Sequence, residues 1–233
     1  MGEILTDITF ERWVKYIFDH PAVEGQSYWH TDWDTKDAYW DESKSPAITV
    51  SFMTQLFENA GEILAPYSNA QLSQSFWYVD NEIEGYMYTL HNLAVPLTNR
   101  LRCIQSIYNL FEQVFAVRCS PEHINDEINT QPPPPKNPLN TLCFMWWDIS
   151  PIYGRNKTDD ERHITQAAFE VMQQTLQLNS TACQASALHG LGHADLHYSA
   201  TRKTIDAWLL THEDTISDRL KTYALAARDG NVL

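Results

Sequence analysis

The stretch TDDERHITQAAFEVMQQTLQLNSTACQASALHGLGH (158–193) decides the fold class. Thr158 and Glu161 stand three residues apart, the spacing of a capping box in which each side chain satisfies a backbone N–H at the other's end. Behind them Ile164, Ala167, Ala168, Val171, Met172, Thr175 and Leu176 recur at one-face helical spacing. Asn179 or Ser180 then caps a second helix running to about Leu196. Two more follow, Ser199 to about His212 and Glu213 to Arg228. The last turns Ile216, Leu220, Tyr223, Ala224 and Ala227 inward, with Gly230 beyond it as a stop. Loops this short make neighbouring helices antiparallel. Stacked pairs of this kind build an α-solenoid, so the sequence predicts an all-α, HEAT-like stack of helical hairpins, with an irregular helical bundle as the alternative.

The same 3.6-residue period runs outward to the N-terminus, and strand alternation is almost absent. Phe10, Trp13, Val14, Ile17 and Phe18 form one stripe, capped by Thr6 or Asp7. Ser45 and Pro46 open a second helix through Val50, Met53 and Phe57, breaking near Gly61. Ser68 or Asn69 opens a third, and a short fourth covers Tyr86 to Leu93. Pro96 starts a long helix carrying Leu97, Leu101, Ile104, Tyr108, Phe111 and Phe115. Six of the eleven prolines then fall between Pro121 and Pro138. Each lacks a donor and fixes φ, so residues 119–139 read as an extended strap within a single domain, 1–233. Beyond it, Leu142, Phe144, Met145, Trp146 and Trp147 predict a short buried helix ending at Asp148.

The chain of 233 residues carries 16 basic and 30 acidic residues, a formal charge of −14. That length fits one domain, or two small ones sharing a core. The acidity argues against nucleic acid and anionic membranes as partners. No apolar run reaches the ~18 residues of a membrane helix, and the N-terminus lacks a basic start with an apolar core. A cytoplasmic protein is expected. Residues 1–116 hold 6 basic and 16 acidic side chains, net −10, against 10 and 14, net −4, in the remainder. Cys103, Cys119, Cys143 and Cys183 match no zinc spacing, and Cys103 and Cys119 lie ~24 Å apart along one helix. Four buried free thiols are the simplest account.

Three function classes fit. Between Glu24 and Glu42 stand six acids, one lysine and the rings Tyr28, Trp29, Trp33, Tyr39 and Trp40. With Asp34, these rings suit a protein partner, a basic one matching the acidic field, or a small cationic or sugar ligand. The alternative is that they plug the first helix pair. The second class is a metal-binding protein or enzyme on His189, His193 and His197, which recur every four residues on one helix face. His189 and His197 are ~12 Å apart along a helix, so one ion engages two of the three at most, with His189 and His193 the pair and His197 or distant carboxylates assisting. The favoured reading of this helix is packing, with no metal. Cys183, Ala187, Gly190 and Ala194 form a stripe of small side chains that lets another helix approach, while the histidines donate to loop carbonyls. Asp159, Asp160 and Glu161 read as helix-capping acids. Walker A, G-x-G-x-x-G and G-x-S-x-G motifs are absent, so neither a catalytic residue nor a cofactor is expected.

The segment C-Q-A-S-A-L-H-G-L-G-H (183–193) resembles one found in uncharacterised bacterial proteins with a HEAT-like helical repeat. Leu56-Phe57-Glu58-Asn59, Tyr67-Ser68, Phe76-Trp77-Tyr78 and Phe144-Met145-Trp146-Trp147-Asp148 are similar to the same group. The resemblance implies a helical-repeat fold and a bacterial source, and brings no activity. The leading expectation is a non-catalytic helical protein that binds another protein.

Overall fold

A computed structural model describes residues 4–5, 8–22, 39–40, 45–80, 85–120, 137–152, 157–194, 200–212 and 214–232. The chain is all-α. Its helices are α1 (Phe10–Phe18), α2 (Pro46–Glu58), α3 (Ala60–Leu64), α4 (Asn69–Val79), α5 (Leu97–Leu110), α6 (Ala116–Arg118), α7 (Pro138–Ile149), α8 (Asp159–Leu176), α9 (Thr181–Ala194), α10 (Ala200–His212) and α11 (Asp218–Arg228). A 3₁₀ helix spans Tyr86–His91, and a π-helical turn, Phe111–Phe115, joins α5 to α6. The one departure is a parallel pair of two-residue strands, β1 (Ile4–Leu5) and β2 (Tyr39–Trp40), in the register Ile4↔Tyr39 and Leu5↔Trp40. No helix among the described residues is long and apolar enough to cross a membrane.

Local chemistry explains most boundaries. Ser68 with Gln71, and Thr158 with Glu161, form complete capping boxes at α4 and α8. Pro46 and Pro138 sit in the first turns of α2 and α7, where a missing N–H costs nothing. Gly230, at φ 71°, ends α11: its N–H reaches Ala227 O, and Asn231 N–H reaches Ala226 O. Four boundaries differ from expectation. α7 begins at Pro138, so Pro138 and Leu139 belong to a helix rather than to the extended strap. Thr9, whose side chain accepts from Arg12 N–H, caps α1 in place of Thr6 or Asp7. The second helix breaks at Asn59 rather than Gly61. The last helix starts at Asp218 rather than Glu213, because Thr215 and Ile216 turn back onto His212 O and Ser217 then supplies the cap.

The helices pack in two rows. In one, α5 lies between α2 and α8; in the other, α1, α4, α7, α9 and α11 follow in succession. The rows meet where α8 packs on α9, and α10 closes against α9 and α11. Helix lengths run from 3 to 18 residues, so the described helices do not repeat a unit of constant length.

Aromatic rings join the rows at the centre. Trp146 of α7 is fully buried and meets Phe57, Phe76, Phe111 and Phe115 edge-on, at centroid distances of 6.3, 5.7, 6.2 and 5.8 Å. Trp147, the next residue, stacks on Phe111 at 5.7 Å and 6°. Edge-on and offset pairs of this kind add about 0.5–1.5 kcal/mol each beyond their area burial. A charged tie supports the rim: Arg100, buried in α5, donates to Val95 O and Leu90 O and pairs with Asp160 in the first turn of α8. Asp160 therefore anchors another helix as well as offsetting a dipole.

Asp80 is the uncomfortable residue of this core. It caps α4, is fully buried, and accepts from Ser150 Oγ at 2.5 Å, while its other carboxylate oxygen has no partner among the described residues. Burial pushes its carboxyl up to about 8, the Ser150 hydrogen bond opposing only partly. Between pH 4 and 8 the folded state thus holds a proton that the unfolded chain has released, and stability falls as pH rises through that window. Asp80→Asn should remove this slope of about 1 kcal/mol per pH unit, read as the difference between variant and wild-type urea midpoints at pH 5 and pH 8. Parallel pH profiles for the two proteins would show that Asp80 is ionised when buried.

Candidate metal centre

Side chains from α7 and α9 converge at the surface end of their contact. His189 and His193 lie one turn apart on α9, and their Nε2 atoms are 3.2 Å apart. Asp148, near the C-terminal end of α7, places Oδ1 3.4 Å from His193 Nε2. Among the described residues these three form the group whose ligand atoms all fall within 4.8 Å of one another. His189 is buried, while the His193 and Asp148 side chains are 32% and 38% exposed. The cluster is therefore closed behind and open in front.

Each ligand has a support. His189 Nδ1 is 2.7 Å from the Tyr223 hydroxyl of α11, and its ring lies on Phe144 at 4.3 Å. Burial first, then the neighbouring His193, hold His189 down to about 4, so its imidazole is neutral at pH 7. In the tautomer that donates Nδ1–H to Tyr223, Nε2 keeps its lone pair turned toward His193 and Asp148. Burial holds the Tyr223 hydroxyl protonated, well above its ordinary range.

Asp148 is delivered by the residue before it. A Cβ on Gly190 would lie 2.6 Å from both Cβ and Cγ of Trp147, closer than real carbon atoms approach. Only glycine lets α7 come this near α9, and the next residue of α7 is then over the histidines. The stripe singled out in the sequence lies in this region. Cys183, Ala187 and Gly190 are fully buried and Ala194 nearly so, and Ser186 Oγ donates to Cys143 O across the same contact. Among the described residues, neither His189 nor His193 donates to a loop carbonyl as expected, and His197 lies outside them. The described partners of His189 and His193 are Tyr223, Asp148 and each other. Asp148 went unnoticed in the sequence because it reads there only as the end of a helix.

Trp29, Trp33, Asp34 and His197, and the proline run 132–135, lie outside the described residues, and Tyr39 is described only as a strand position. Trp40 is 1% exposed; its Nε1–H donates to Thr49 Oγ1 at 3.0 Å and its ring packs on Phe52. It fills the space beside α1 and α2, so the proposed surface contact at this residue becomes a core contact. An indole whose N–H finds a hydroxyl beneath a helix gains more from burial than from exposure. Comparison with protein-family models, curated proteins and solved structures gives no match, so no family is assigned and function rests on the chemistry of these residues.

The glycine argument has a signed test. Alanine is the better helix former by about 1 kcal/mol, so Gly190→Ala would stabilise α9 if the space were open. Against Trp147 it should instead cost about 1–3 kcal/mol by overpacking, measured as a lower urea midpoint. Gly192→Ala should cost less, since its nearest neighbours are the Val232 methyl groups near the chain end, with Ala227 Cα at 3.2 Å.

Proposed function

We propose that this is a zinc-binding protein whose ion is held by Asp148, His189 and His193. One observation carries the reading. Two ligand atoms, each about 2.0–2.1 Å from zinc and separated by the tetrahedral angle, lie ~3.3 Å apart. Two of the three edges are 3.2 and 3.4 Å, and all three lie within 4.8 Å. The ligand chemistry agrees: two imidazoles and a carboxylate are zinc donors, one imidazole is already neutral, and its far nitrogen is tied to a hydroxyl that orients the ring. Three protein ligands leave the fourth position to water or a substrate oxygen, and that position faces the solvent side of His193 and Asp148. Water bound this way is acidified to about pKa 7, which makes it a nucleophile at neutral pH.

The protein-binding reading drew on the aromatic loop at 24–42, where the one described side chain, Trp40, is buried. Zinc therefore takes precedence as the functional reading.

Isothermal titration of tag-free protein with Zn²⁺ is the test. One ion per chain is expected, with affinity lost in His193→Ala and lowered in Asp148→Asn. Tyr223→Phe should cost about 10–100-fold, since it removes only the group that orients His189. At a hundredfold excess over the dissociation constant, zinc should stabilise the fold by about 2.7 kcal/mol. Identical titrations for wild type and His193→Ala would sink the proposal.

A further inference from the structure

Three cysteines that sequence spacing keeps far apart come together beside the middle of α7. Cys119 follows α6, Cys143 lies in the middle of α7, and Cys183 in the first turn of α9. Cys143 is within hydrogen-bonding reach of both other thiols. Its Sγ also donates to Ala182 O at 3.7 Å, beside Cys183.

The backbone around Cys119 is fastened to α7. Asn140 accepts from Ser120 N–H at 2.9 Å and donates to Ser120 O at 3.2 Å, while Asn137 donates to Arg118 O at 2.8 Å. These bonds hold the residues on either side of Cys119 against the first turn of the helix that carries Cys143. The two thiols differ in access. Cys143 is fully buried, whereas Cys119 is half-buried and lines a cleft of about 440 Å³ with Ser180, Thr181, His212 and Ser217. Cys183 is buried like Cys143, so Cys119 is the sulfur of the three that meets a reagent from solution first.

We propose that Cys119 and Cys143 form a redox pair, oxidised by a hydroperoxide that reaches Cys119 through this cleft. In the first step Cys119 sulfur attacks one peroxide oxygen. The O–O bond breaks, the departing oxygen takes the thiol proton and leaves as water or an alcohol, and Cys119 becomes a sulfenic acid. Cys143 sulfur then attacks Cys119 sulfur. The S–O bond breaks, and hydroxide leaves with the Cys143 proton as water, completing the disulfide. Two thiols lose two electrons and the peroxide gains them; a small external thiol reverses the change. The proposal is independent of the zinc site.

Peptide mapping of the full chain after brief hydrogen peroxide treatment and alkylation tests it. Two of the four thiols should disappear, with a peptide linking Cys119 to Cys143 and with Cys103 still alkylated after unfolding. In Cys143→Ser the link should vanish and Cys119 should be trapped by dimedone as the sulfenic acid. In Cys119→Ser, a change at a half-exposed position that leaves the core intact, Cys143 should remain reduced under the same treatment. A Cys143–Cys183 link, a link between two chains, or oxidation of Cys143 in Cys119→Ser would overturn the proposal.

Discussion

Where α7 crosses α9, Gly190 lies against the root of Trp147, at a separation that no side chain on Gly190 would permit. The rest of the molecule depends on that contact. It seats Trp147 on Phe111 and leaves Trp146 facing Phe57, Phe76 and Phe115, so one helix ties α2, α4 and the π-helical turn into a single core. It also carries the following residue, Asp148, out of the core and over the histidines of α9. A helix-interior glycine is unfavourable by about 1 kcal/mol relative to alanine, an amount the packing of two buried indoles readily offsets.

The two sites divide α7 between its faces and ends. Near its C-terminus, Asp148 meets His189 and His193 beside a half-buried Tyr223; toward its N-terminus, Cys143 meets Cys119 and Cys183. Both need the same pairing of α7 with α9. The candidate metal centre is built on helix rather than loop, so the positions of its side chains are set by backbone packing and by the fixed rotation of 3.6 residues per turn. His189 is buried and tethered while His193 and Asp148 meet solvent, which gives the site a fixed back and an accessible front.

Much of the fold was legible from residues close together in the chain. Caps at Ser68 and Thr158, Pro46 at a first turn and stripes of large apolar residues act within about four residues, and α2, α4 and α8 start where they were expected. Pro138, by contrast, reads as strap and opens α7. The misplaced boundaries have the same local character. Thr9 outcompeted Thr6 and Asp7 as a cap, and the turn onto His212 O displaced the start of the last helix, where several short polar residues offered rival stops. Of the candidate site, the pair His189 and His193 was visible because both lie on one helix face. Asp148 was not, since nothing in F-M-W-W-D says which helix it will face.

By itself, then, the sequence determined that this protein is all-α, where most helices begin and end, and which two histidines could share an ion. These are short-range consequences of backbone hydrogen bonding and helical period. Only the tertiary structure decided that Asp148 completes the triad, that Trp40 is core rather than surface, and that three scattered thiols adjoin. Each of those depends on which helix faces lie together and how near they come, a choice made by side-chain volume across the α7–α9 contact, where Gly190 admits Trp147.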